Sequence, residues 1–299
     1  MRWIYHLLAR DTRIAGDYTP ASLAAEGFVH GSFLDAVADS ARLYFAPAQE
    51  LDVLQIDPRR LPSVPVLATT PRGVMPHLYG AIPADAIRAR VASAAIGTLP
   101  DHVTGTRVAI VAFDGMTLLD LVAVFDPLSR IASMGFDPTT TVEIVGAHRG
   151  TAWHGHGATL AVERVRPDLA RFDLVVVPGG HGTRALVSDL EVLEWLGSYP
   201  PHRLIASVCT GALVLGALGR LHARRATTHA SALGDLARYG ATAVDARVVD
   251  EGSVITAGGV TAGIDLGLHL VARLLDATAA DRIATQMAWP PARAATSGT

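Results

Sequence analysis

The chain has a single cysteine, Cys209, set between the apolar run RLIASV and the glycine-containing apolar segment TGALVLGALG. A short apolar strand feeding directly into a helix places the thiol at a sharp strand-to-helix bend, the geometry of a nucleophile elbow. Gly211 allows the backbone to crowd in behind it. The unpaired N–H groups at the start of the following helix favour thiolate over thiol and can hold a developing anion. A lone cysteine also has a plainer reading as a small buried hydrophobe. The elbow context favours the chemical one. One cysteine excludes an intramolecular disulfide and a multi-cysteine zinc site. Upstream, Gly179 and Gly180 end the run DLVVVPGG, where exposed N–H groups would form an oxyanion-type hole or simply a tight turn.

These residues need a scaffold, and the order of elements supplies one. RVAIVAF, TVEIVGA, FDLVVV and RLIASV read as buried strands, separated by the helical patterns MTLLDLVAVFDPLSRIASMG and SDLEVLEWLGSY. Further strands fall near 243–249 and 254–256, and a helix over 262–275. Continuous apolar strands alternating with helices predict an α/β, doubly wound parallel sheet covered on both faces. Ligands in such sheets sit beyond the carboxyl ends of the strands, where Cys209 lies. Residues 1–91 read differently, as a small α+β domain with strands at 3–8 and 51–56 and a helix near 34–44. The small, polar, Gly- and Pro-broken stretch 92–106 is expected to be a linker, 107–290 the α/β domain, and 291–299 a disordered tail.

Composition narrows the function class. Half of the 299 residues are hydrophobic and 18% are charged, with a mean hydropathy of +0.32. Yet the longest apolar run, 204–219, is interrupted by glycine and shorter than the roughly 20 residues of a membrane span. No signal peptide is expected at the N-terminus, and the reading is a cytoplasmic protein. A net charge of -3 without an arginine cluster gives no electrostatic footprint for nucleic acid. The histidines His148, His154 and His156 are potential metal ligands, but AHRGTAWHGHG reads as a polar hairpin and no metal is expected. HGHGATL lacks the last glycine of a dinucleotide loop, and no GxxxxGK[ST] occurs.

VAFDGMTLLDL, DLVVVPGGHGT, ASVCTGALVLGALGRL, RRATTHASA and VITAGGVTAGIDLGLHLVARL together resemble the ThiJ/PfpI superfamily, and within it the isocyanide (isonitrile) hydratase branch. The resemblance implies the elbow cysteine as nucleophile, an aspartate from the first helix beside it and a polar helper after it, matching Cys209, Asp120 and Thr210. It further sets His229, in TTH, near the cysteine. A carboxyl near an anionic sulfur has its pKa raised by like charge and burial, so Asp120 can serve as both acid and base. A helix cap or a solvated residue is the alternative for Asp120, and a structural role the alternative for His229. Where hydratase-like members follow the aspartate with a Gly-Pro turn, this chain has Leu121, Val122, Ala123 and Val124. No helix-turn-helix segment is expected after the α/β unit.

IYHLL, GDYTPASLAAEGFVHGSF and MPHLYGAIP resemble a small bacterial domain family of uncharacterised function, similar in fold to ADP-ribosyltransferases. The matching residues His6, His30, Ser32, His77 and Tyr79 would suit a nucleotide or other small-molecule pocket. Buried scaffold histidines are the alternative. The expected activity is hydration of an isocyanide to an N-substituted formamide through a thioimidate on Cys209, with no cofactor and in a homodimer. A glyoxalase or deglycase-like activity on α-oxoaldehydes, and a non-catalytic redox sensor or binding module, are the rivals.

Overall fold

The computed structural model describes residues 1–70, 73–148, 151–155, 158–162 and 164–289, without the side chains of 151–159 and 161. The segment 291–299, expected to be a disordered tail, lies outside the described residues, as do His156 and the side chain of His154. The chain divides into two compact units, Met1–Val103 and Thr104–Thr299.

The first unit is built on two antiparallel sheets. One joins β1 (Ile4–Ala9), β3 (Leu51–Ile56) and β6 (Ile87–Ala92), and the other joins β2 (Val29–His30), β5 (Gly73–Leu78) and β4 (Val66–Thr70). Two helices, α1 (Ala21–Glu26) and α2 (Val37–Tyr44), complete it. Most of the stretch read as a linker belongs to this unit. Ile96, Leu99 and Val103 pack with Trp3, Tyr5 and Val53, and the Trp3 and Val103 N–H groups bond to the Asp101 and Met1 carbonyls at 2.9 Å. Its apolar residues are too widely spaced to show a period, so their burial depends on partners distant in sequence.

In the second unit the strands are β7 (Arg107–Ala112), β8 (Thr141–Gly146), β11 (Arg164–Val165), β12 (Leu174–Val177), β13 (Leu204–Val208), β16 (Val248–Asp250) and β17 (Val254–Ala257). They form one sheet in the order β11-β8-β7-β12-β13-β17-β16, parallel except for the edge strand β16. Two short pairs lie outside it: β9 (Thr151–Gly155) with β10 (Ala158–Ala161), antiparallel, and β14 (Arg225–Ala226) with β15 (Thr242–Ala243), parallel. Every residue of β12 and β17 is buried, which requires cover on both faces and explains their predominantly apolar sequences. That cover is provided by α3 (Leu118–Ser133), α4 (Thr183–Leu186), α5 (Leu190–Gly197), α6 (Gly211–Ala217), α7 (Ala262–Leu274) and α8 (Ala277–Gln286). Without a Gly-Pro break after Asp120, α3 runs through as a single helix, and its Pro127 lies where a side chain on Gly267 of α7 would be only 2.8 Å away. From β7 the chain passes to β8 on one side and later to β12 on the other. The reversal opens a crevice at the carboxyl ends of these strands.

One half-buried charge cluster ties the sheet edge to α7. Asp250 accepts hydrogen bonds from His269 Nε2 at 2.7 Å and from the Gly252 N–H at 2.8 Å, and pairs with Arg273. Burial alone would raise its pKa, but the His269 bond and the Arg273 charge hold it down to about 2. A carboxylate held below its ordinary value contributes stability that is full above about pH 4 and is lost as pH falls through the folded value. Asp250→Ala is therefore expected to cost roughly 1–3 kcal/mol at pH 7 in urea unfolding, and the gap to wild type should shrink toward pH 2. A gap independent of pH would contradict this.

Candidate active site

Cys209 follows the last residue of β13 and precedes α6 by one residue. Its φ is +54°, a left-handed conformation that a non-glycine residue holds only when its surroundings enforce it. They do so at both ends of the peptide. The Cys209 N–H donates to the Ala257 and Gly258 carbonyls, both at 2.9 Å, and its carbonyl accepts the Thr228 hydroxyl at 2.7 Å. Thr228 was not singled out in the sequence, where TTH directs attention to the histidine. Its signal is the buried hydroxyl, 2% exposed, which must find an acceptor. Close passage of the neighbouring chain explains Gly211, since a Cβ there would lie 2.1 Å from the Val177 carbonyl oxygen.

Asp120 stands in the first turn of α3 and is fully buried. Its Oδ2 accepts the Gly179 N–H at 3.1 Å, while Oδ1 has no donor at hydrogen-bond geometry among the described residues. The Cys209 thiol lies against this carboxylate, with each group shifting the other. Burial pushes Asp120 up to about 6, against the opposing pull of the Gly179 bond, the thiol and the nearby His229. Burial also pushes the thiol up to about 11, the Asp120 charge adds to this, and the Thr210 N–H and hydroxyl pull it down. Burial thus disfavours the charged form of both groups, and the thiol and the carboxyl titrate as one coupled pair. Desolvation of the thiol works against the thiolate that a helix N-terminus favours, and α6 has only seven residues.

The Gly179 and Gly180 N–H groups are not exposed donors. Gly179 donates to Asp120, and Gly180 donates to Thr210 Oγ1 at 2.9 Å. They fix the acid and the polar helper instead of forming a free oxyanion hole. The Thr210 hydroxyl also lies 3.0 Å from the Gly180 carbonyl oxygen and 3.1 Å from Thr183 Oγ1, a second threonine that sequence alone did not mark. His229 is half-buried, and its Nδ1 lies 2.8 Å from Ser231 Oγ. It therefore caps the following turn and acts on Asp120 through its field. In the first unit, His6, His30, Ser32 and His77 line one cavity of about 650 Å³, whereas Tyr79 is not part of its lining. His148 bonds Asp189 at 2.8 Å, and no described group of His, Cys, Asp or Glu has the arrangement of a metal site. No described helix is long and apolar enough to cross a membrane.

A buried carboxyl costs stability once ionised. A folded-state value raised to about 6 means that stability falls as pH rises from about 4 through 6, with the full penalty present above that. Asp120→Asn is accordingly expected to unfold at higher urea than wild type at pH 7, by roughly 1–3 kcal/mol, and to lose that advantage near pH 4. Destabilisation at pH 7 would sink this account.

A doubly wound sheet with a strained cysteine elbow and a carboxylate against the thiol defines a class. The model of the DJ-1/PfpI family matches residues 106–273, and the chain belongs to that family. Within it, the chain is 34% identical over 187 residues to an isonitrile hydratase of Pseudomonas putida, covering 62% of this chain and 79% of that protein. A deglycase of Thermococcus kodakarensis is 30% identical over 155 residues, covering 50% and 88%. Among solved structures, a ThiJ/PfpI family protein of Pseudomonas syringae matches with a TM-score of 0.55 and 31% identity over 67% of this chain and 86% of that one. Drosophila melanogaster DJ-1beta, at 21% identity and a TM-score of 0.55, shares the fold over 62% of this chain and all of that one. Residues 8–90 match a family described as a protein of unknown function, DUF952.

Proposed function

We propose that the second unit hydrates an isocyanide to an N-substituted formamide. The observation that carries this reading is the buried Asp120 carboxylate against the Cys209 thiol, two groups that together hold one mobile proton. The likeness to an isonitrile hydratase supports it. Asp120 takes the thiol proton as sulfur forms a bond to the terminal carbon of R–N≡C, then delivers that proton to the same carbon, leaving the thioimidate R–N=CH–S. Water adds to this carbon with Asp120 as base, and the proton passes to nitrogen. Collapse of the tetrahedral adduct breaks the C–S bond, releases R–NH–CHO and returns a proton to the Cys209–Asp120 pair. One water is consumed, and no cofactor enters the balance. The Thr210 N–H and hydroxyl, which lower the thiol pKa, offset part of the negative charge on sulfur. The assembly is proposed to be a homodimer acting on a small molecule in the cytoplasm.

The test is formation of an N-substituted formamide from cyclohexyl isocyanide, followed beside consumption of methylglyoxal. Turnover of the first and not the second supports the hydratase. Turnover of methylglyoxal alone would transfer the site to the deglycase-like reading, which the Thermococcus relative favours. Reaction with neither, together with ready oxidation of Cys209, would leave a sensor. Because ionised Asp120 must accept the thiol proton, kcat/KM should fall as pH drops through about 6. A rate that is flat between pH 7.5 and 5 would contradict the base role.

A further inference from the structure

The first unit contains a binding cavity that the chemistry at Cys209 does not use. At about 650 Å³ it has room for a small organic molecule. One of its polar groups is His6, only 8% exposed. His6 Nδ1 lies 2.8 Å from the His30 carbonyl oxygen, which can only accept, so that nitrogen carries the proton and the neutral ring keeps its lone pair on Nε2. The Tyr18 hydroxyl is 3.5 Å from Nε2, at the far limit of a hydrogen bond. Burial holds His6 below the ordinary imidazole range, so it stays an acceptor at neutral pH.

The adjoining wall is aromatic. Tyr44 lies over the His30 ring at 6.0 Å, and His77 is backed by Phe28 in a stack at 3.9 Å and 14°. His30 is itself engaged through Nε2 with Glu26 at 2.9 Å. None of the described lining residues is arginine, and the whole chain contains no lysine. A phosphate or carboxylate entering this space would be desolvated with no arginine among the described lining residues to meet it, which argues against the nucleotide suggested by residue types alone.

We propose that this cavity binds an uncharged planar ring compound carrying an N–H or O–H donor, stacked along the Tyr44–His77 wall and donating to His6 Nε2. The site stands independently of the reading given for Cys209. The test titrates the full chain with indole, 1-methylindole and indole-3-carboxylate, using calorimetry and ligand-detected NMR. Indole should bind saturably, and both the donor-less and the anionic analogue should bind about tenfold more weakly or worse, the equivalent of one lost hydrogen bond. His6→Phe should remove the preference for indole over 1-methylindole. Because a buried replacement can disturb folding, Tyr44→Ala, at a position 59% exposed, provides a second arm and should weaken indole binding several-fold. Equal binding of the carboxylate, no preference for indole over 1-methylindole in the wild type, or no saturable indole binding would each overturn the proposal.

Discussion

Cys209→Ala is expected to abolish formamide formation, and Asp120→Asn to lower kcat/KM by roughly 10²–10⁴, the range that a positioned acid and base supplies. The two effects differ in kind. Without sulfur there is no thioimidate, and the buried carboxylate has nothing to activate. With asparagine, the thiol remains but its proton has no acceptor, because Thr210 and the Gly179 N–H offer only donors toward the pair or are already engaged. The groups act as one unit, so the double variant should be no slower than Cys209→Ala alone. Formamide production by Cys209→Ala would refute covalent catalysis. Full activity in Asp120→Asn would leave the nucleophile in place and remove the proton relay.

The second large effect is expected at Gly179, whose side would be a residue of no interest in a plain turn. A Cβ built there lies 2.5 Å from the Thr210 nitrogen, 2.7 Å from Cys209 Cβ and 2.8 Å from Asp120 Oδ2. None of these is the loose end of a flexible side chain, and the strained Cys209 peptide is anchored at both its N–H and its carbonyl. Gly179→Ala must therefore push the carboxylate and the elbow apart. Misplacement of reacting groups by about 1 Å costs on the order of 10² in rate, and overpacking adds roughly 1–3 kcal/mol of lost stability. Gly234→Ala is the control, since a Cβ there meets nothing within 4 Å. Wild-type rate and melting temperature in Gly179→Ala would show that the contact is not rigid.

By itself the sequence determined the second unit's architecture and the position of Cys209. Buried strands such as LVVV and LIASV are predominantly apolar runs, and a strand-to-helix bend needs only neighbours in sequence to be legible. The same locality placed Asp120 in the first turn of its helix. Which polar groups meet was decided by the tertiary structure. Asp120 and Gly179 are 59 residues apart, and Gly180 and Thr210 are 30 apart, so the capture of both glycine N–H groups had no local signature. Thr228, 19 residues beyond the carbonyl it holds, was hidden for the same reason. The same separation set the burial that shifts the thiol. A helix N-terminus is a local feature that points toward thiolate, whereas burial of Cys209 and Asp120 together, which raises the pKa of both, depends on strands and helices drawn from the whole unit. In the first unit, residue types pointed to a nucleotide, but only the assembled walls reveal that no arginine is among the described lining residues of the cavity. Propensity and periodicity are written residue by residue; desolvation and proton sharing belong to pairs that the fold alone brings into contact.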